Sequence, residues 1–202
     1  MDWAKEQASP LWVVHRLDRE TSGVVLFARS EEDHREANLW FQKRLAKKVY
    51  YCLASGVPSS PVVKVNEPIQ GAPSITQIEV KESYREGFLG RVMPHSGRRH
   101  QIRIHLSKKG FPIWGDVTYG GAREIKIGLL QKEQEMGQGR VQERVQERVQ
   151  ERGEVGQKIL IISRVALHSA RLELPTGEVF EAPFPDDFEG WLKELRRGGS
   201  DG

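Results

Sequence analysis

With 202 residues, 38% of them hydrophobic, and a net charge of +3, the chain has enough material for the core of one globular domain but not two. A single cysteine, Cys52, excludes a disulfide framework and a cysteine-based zinc site. No apolar run reaches the roughly 18 residues that cross a bilayer, and no opening stretch has the order of a signal peptide, so the expectation is a cytoplasmic monomer with no membrane partner.

The first patterned stretch is LWVV, followed by HRLDRETSG (residues 15–23) and VVLFA (24–28). The two apolar runs read as buried strands, and such strands usually meet at a turn of Gly, Asn, Pro or Asp. This connection is far more ionic. It leaves Asp18 open to two readings, a turn residue in a structural ion pair or a working carboxylate. Ser30 is a good N-cap, with Glu31, Glu32 and Asp33 in the first turn. Ala37, Trp40, Phe41 and Leu45 then form one apolar stripe, and the predicted helix ends basic, with Arg44, Lys47 and Lys48. VYYCLASG predicts a strand closed by Gly56, with Cys52 in the core, PSSP a loop, and residues 75–80 alternate as an amphipathic strand.

RRHQIRIHLSKKG satisfies both periods, but Lys108, Lys109 and Gly110 make a helix stop, so the stretch is read as a helix. Residues 122–157 include RVQERVQERVQER, whose Val141, Val145 and Val149 drift by about 40° per step around a helix. No stable stripe results, and the segment is read as a low-complexity charged insertion, exposed and helical or disordered. Order is expected to resume at Lys158. Ala170, Leu172 and Leu174 mark a strand, Pro175 to Gly177 a turn and EVFEA its hairpin partner. Phe188, Trp191, Leu192 and Leu195 then form a C-terminal amphipathic helix.

Charge is unevenly spread. Seven Lys or Arg face one acid between Arg85 and Lys109, whereas eight acids face three bases from Glu173 onward. The basic region suits a polyanion such as nucleic acid, or is a solvated surface. A metal site is disfavoured, because His100 and His105 are five apart and no paired acids accompany them. A serine hydrolase is disfavoured too: Ser22 lies in TSGV, without the first glycine of a nucleophile elbow. A carboxylate works at neutral pH only while ionised and aimed, and a guanidinium does both.

HRLDRETSGVVLFA resembles the signature loop of the RluA/RsuA-type RNA pseudouridine synthases, HRLDxxTSG followed by an apolar strand. Three more blocks follow in that family's order. KVYYCLASG is similar to its Lys-x-Tyr strand, SGRRHQIRIHLSKKGFPIWGDVTYGG to its Gly-Arg-x-His-Gln-Ile-Arg block ending in Gly-Asp-x-x-Tyr-Gly, and RVALHSARLELPTGEVFEAPFPDDF to its closing region. Residues 12–195 are covered, apart from the insertion.

The resemblance implies an α+β fold in a single domain, with a mixed, largely antiparallel central sheet, flanking helices and a central cleft. It also implies an isomerase that converts uridine in ribosomal or transfer RNA to pseudouridine without cofactor or metal. Asp18 would be the catalytic aspartate, Arg103 its partner and Tyr50 the aromatic residue against the uracil, with Ile102 as the apolar floor. Arg16, Arg98, His100 and Thr21 would hold the loop or the substrate. Arg99, Lys48, Lys108 and Lys109, with Lys47, would hold phosphates, whereas Asp116 and Tyr119 are assigned to the turn after the helix. The carboxylate could attack the sugar or the base, or remove a sugar proton. Relatives carry a Lys-Pro-x-Gly strand upstream, where only eleven residues precede Trp12 here, and Arg99 replaces their usual Thr. The chain is therefore read as an N-terminally shortened catalytic domain, and its alternative as an inactive RNA-binding remnant.

Overall fold

Two short pairings frame the ionic loop. In the computed structural model, which describes residues 11–128 and 157–198, the chain opens with Trp12–Val13 (β1), Ser22–Gly23 (β2) and Phe27–Ala28 (β3). β1 pairs antiparallel with β3, so the loop leaves and returns through one small ladder. The predicted strand over residues 24–28 is thus mostly absent. Val24 and Leu26 instead turn their side chains onto a small cluster of Ala46, Leu172 and Leu174, because the backbone must pass from one pairing partner to another within a few residues.

Glu31–Gln42 (α1) starts as expected, with the Ser30 hydroxyl accepting from the Asp33 amide at 3.0 Å. It ends earlier than the stripe suggests. The Arg44 amide donates to Phe41 O and the Leu45 amide to Trp40 O, the paired bonds of a Schellman cap, and Arg44 adopts φ 59°. Glycine is the usual residue there, since a side chain in the left-handed region costs about 1 kcal/mol. The reversal leaves Leu45 exposed and moves Lys47 and Lys48 out of the helix into the next strand.

That strand, Lys47–Ser55 (β4), is the centre of the molecule. Val62–Asn66 (β5), Ile75–Tyr84 (β6) and Gly87–Pro94 (β7) follow, then Gln101–Lys108 (α2) and a short 3-10 turn at Val117–Tyr119. Glu124–Gly128 (β8) pairs antiparallel with Gln157–Ile161 (β9). Leu167–Glu173 (β10), Val179–Glu181 (β11) and Asp186–Arg197 (α3) complete the chain. The main sheet runs β11-β10-β4-β7-β6-β5, all antiparallel, and β2 adds to β10 in parallel. It is the mixed, largely antiparallel α+β architecture that the motifs imply.

Cys52, Leu53 and Ala54 of β4 are fully buried in the main core, together with Ile102 and Leu106 of α2 and Phe188, Trp191, Leu192 and Leu195 of α3. The expected insertion over 122–157 needs correction at its leading edge. Ile125 and Ile127 alternate with Glu124 and Lys126, and both isoleucines join the core, so β8 is part of the body of the fold. The RVQER repeat lies outside the described residues. Among the described residues, no helix is long and apolar enough to cross a membrane.

Candidate active site

Six of the nine residues of the ionic loop are tied to their surroundings by hydrogen bonds, pairing or charge. The His15 ring stacks on Phe41 and accepts from the Leu26 amide at 3.1 Å. An accepting ring nitrogen requires the neutral imidazole, and burial, reinforced by the charge on Lys48, lowers the His15 pKa to about 4. The Thr21 amide closes a turn onto Asp18 O at 2.9 Å. Glu20 accepts from the Val165 amide at 3.2 Å. The Ser22 hydroxyl meets His168 Nδ1 at 2.9 Å, while His168 Nε2 lies 3.1 Å from Ala182 O. Gly23 runs beside Ser169 with φ 117°, and a Cβ on it would lie 2.1 Å from the Ser169 carbonyl oxygen. Only glycine fits. The outcome is that Asp18 stands at the edge of a cleft on an immobilised turn.

Arg103 reaches Asp18 from the first turn of α2. Its Nη1 is 3.4 Å from Asp18 Oδ2, but its principal bonds go elsewhere: Nε to Asp116 Oδ2 at 2.7 Å and Nη2 to Asp116 Oδ1 at 2.8 Å. The guanidinium is therefore held as a fork by Asp116, and one corner is left over for Asp18. The Arg103 and Asp116 side chains are 9% and 1% exposed, against 25% for Asp18. The buried member of the triad thus orients, and the accessible one faces the cleft. Tyr119 adds to this hold, with its ring 5.0 Å from the Arg103 guanidinium carbon and its hydroxyl 2.9 Å from His100 Nδ1. His100 Nε2 in turn lies 3.7 Å from Asp18 Oδ1. Burial lowers the His100 pKa, and the Asp18 charge opposes the shift.

The N-terminus of α2 is fixed by Gln101. Its Oε1 accepts from the Ser96 hydroxyl and the Arg98 amide, and its Nε2 donates to Ile75 O and Thr76 Oγ1 on β6. His105, one turn on, bridges Thr76 and Glu67 O. These buried polar ties aim the helix so that Ile102 forms part of the cleft floor and Arg103 faces Asp18.

The cleft has a volume of about 450 Å³, within the range of small-ligand sites. Asp18, Tyr50, Ile102, Arg103, His100 and Thr21 line it, as do Arg16, Arg98 and Lys48. Tyr50 enters from β4, half-buried between β7 and β10. Burial raises its phenol pKa, a Ser169 hydrogen bond acts the other way and the Asp18 charge adds to the rise. Lys48 donates to Ser96 O at 3.3 Å, and burial lowers its pKa.

Three of the cations named from sequence lie elsewhere. Lys108 and Lys109 sit at the opposite end of α2, where both reach Glu67, at 3.5 and 2.8 Å, and Arg99 is exposed beyond the cleft lining. Asp116 and Tyr119, assigned from sequence to the turn after the helix, do lie there, as the N-cap and last residue of the 3-10 turn, and their side chains also orient Arg103 and His100. The available signal was an acid set beside the apolar Phe111, Ile113 and Trp114, a place where an unpaired carboxylate would be costly.

Known proteins resemble the chain in sequence and in fold. The family model described as RNA pseudouridylate synthase matches residues 2–108. The chain is 31% identical over 204 aligned residues to ribosomal large subunit pseudouridine synthase D of Vibrio parahaemolyticus, covering 92% of this chain and 56% of that protein. It is 34% identical to synthase C of the same organism, over 59% of this chain and 42% of that one. The chain thus spans about half the length of the curated relatives it matches. In three dimensions it resembles human RNA pseudouridylate synthase domain containing 4, with a TM-score of 0.65 and 23% identity over 94% of this chain and 77% of that one, a likeness of fold.

Proposed function

Because the chain belongs to the RNA pseudouridylate synthase family, we propose that it converts a uridine of a structured RNA to pseudouridine, with Asp18 as the reacting carboxylate and no cofactor. Large-subunit ribosomal RNA is the first substrate class to test, since the relatives' names carry it. The observation that supports this reading above others is the arrangement of three charged groups: Asp18 open to a cleft, Arg103 against it, and buried Asp116 holding Arg103 from behind.

In the reaction, the bond from the sugar's C1′ to uracil N1 breaks and one from C1′ to uracil C5 forms. The C5 hydrogen leaves to solvent and N1 gains a proton, so there is no redox change. A single aimed carboxylate suffices, whether it attacks the substrate covalently or removes a sugar proton. The freed base has to be retained while it turns, a role for the Tyr50 ring and the Ile102 floor. Eversion of the target nucleotide brings it to a carboxylate at the cleft edge. We take the chain to act as a monomer in the cytoplasm, a compartment consistent with a lone, fully buried thiol at Cys52.

Release of tritium from RNA labelled at uridine C5 tests the reading. The wild-type chain is expected to release it, and Asp18→Asn to retain RNA binding with release reduced by at least about 10³-fold. Equal release from both proteins would remove Asp18 from the mechanism, and binding without release by the wild type would leave a binding protein only.

A further inference from the structure

A second depression adjoins the cleft, and its charge is not needed for the chemistry at Asp18. It has a volume of about 660 Å³ and lies over the ends of β4, β7 and β10, sharing Phe41, Arg44, Lys48 and Ser96 with the cleft. Lys47, Arg91 and Arg171 line only this second trough, and Glu173 is the one acid among its lining residues. Lys47 is held by Glu173 at 2.6 Å, Arg171 by Glu173 and Glu181, and Arg91 by Glu79 at 3.1 Å. Those carboxylates fix the cations at the rim while leaving some of their N–H donors unused.

Arg44 is the independent observation. It occupies the C′ position of the Schellman cap at the end of α1, in the left-handed conformation that favours glycine, and its side chain lines both depressions. An arginine placed at a position where glycine is favoured points to a role for its side chain, at the junction of the two cavities. A polynucleotide with one residue everted into the cleft has to continue somewhere on the protein surface, and its continuation carries one negative charge per nucleotide.

We propose that this trough carries the phosphodiester backbone of the RNA strand as it leaves the cleft, with Arg44 contacting the phosphate at the turn between the two. The proposal rests on RNA being the substrate, and it names a surface and a contact that the isomerisation itself does not require. Backbone contacts of this kind position the strand without reading its bases.

The informative variant is Arg44→Gly, because it removes the cation and relieves the backbone at once. It is expected to unfold no earlier than wild type. Its affinity for a fluorescent twelve-nucleotide single-stranded RNA should fall about threefold to tenfold, and the slope of log K against log salt should decrease by about 0.7, the value for one phosphate contact on a single strand. The double variant Lys47→Ala, Arg171→Ala should reduce the slope further, while binding of a three-nucleotide RNA, too short to leave the cleft, stays within twofold of wild type. Unchanged affinity and slope in Arg44→Gly would overturn the proposal. So would displacement of the twelve-nucleotide RNA by polyglutamate of equal charge at equal concentration, the result expected of a docking site for acidic protein. A wild-type chain that binds the RNA through these residues yet releases no tritium would remove the isomerase reading and leave the trough in place.

Discussion

Replacing Asp116 by Asn separates the orienting carboxylate from the reacting one. Asp116 accepts two bonds from Arg103, at 2.7 and 2.8 Å, and is 1% exposed. Asparagine keeps the shape but offers one oxygen, and its amide N–H₂ faces a guanidinium donor. One buried N–H then loses its acceptor, and the guanidinium charge retains only Asp18, 3.4 Å away and partly solvated. Removing one partner of a buried ion pair costs about 3–5 kcal/mol. With a slope of about 2 kcal/mol per molar urea, the unfolding midpoint is expected to fall by about 1.5–2.5 M. Below that transition the folded variant should show a second effect. Arg103 swings toward its remaining carboxylate, and a displacement of about 1 Å in a catalytic group costs about 10²-fold in rate. Tritium release at saturating RNA should fall by that order while the RNA concentration for half-saturation stays within twofold, because Asp116 faces no substrate. A double-mutant cycle with Arg103→Met gives the coupling directly, expected above about 2 kcal/mol. A variant with a wild-type midpoint and wild-type release would refute the chain of support from Asp116 through Arg103 to Asp18.

Gly23→Ala is expected to lower the urea midpoint by at least about 1 M and to reduce tritium release with it, since its Cβ would overlap the Ser169 carbonyl; Gly177→Ala, with φ 101° and nothing within 4 Å of its Cβ, should show only the smaller cost of the backbone conformation. His15 contributes a pH dependence of definite sign. Its folded pKa of about 4 lies below the unfolded 6.5, so its contribution is complete above pH 6.5 and is lost as pH falls through 4. The loss should be on the order of 2 kcal/mol by pH 5. In urea titrations between pH 7 and 4, His15→Gln should follow a flatter curve than wild type, and parallel curves would contradict the assignment.

Some of this was legible in the sequence because local rules sufficed. Ser30 with its three following acids marks the start of α1, and Lys108, Lys109 and Gly110 settle the period of α2, whose apolar residues fit either structure. The density of charge in residues 15–23 marks the loop that carries Asp18. Other features depend on partners that no local pattern names. Arg103 and Asp18 lie 85 positions apart, and the ordered motifs joined them, but the tighter bond runs to Asp116, an acid whose apolar neighbours signal a buried partner without naming it. Lys108 and Lys109 read equally well as phosphate ligands until Glu67, from the loop after β5, is seen beside them. β8 was obscured by the charged repeat that follows it, although Ile125 and Ile127 alternate plainly. Arg44 escaped because a helix stop made by arginine contradicts the propensity that normally reveals one.

The parallel pairing of β2 with β10 has a consequence for how the molecule comes into being. Ser22 and Gly23 leave a ribosome well before the strand that holds them, at His168 and Ser169, which emerges about 146 residues later. Until then the loop bearing Asp18 has no edge to lie along, so the reactive carboxylate is mounted late in synthesis, with nascent chains bearing the acid but not its setting.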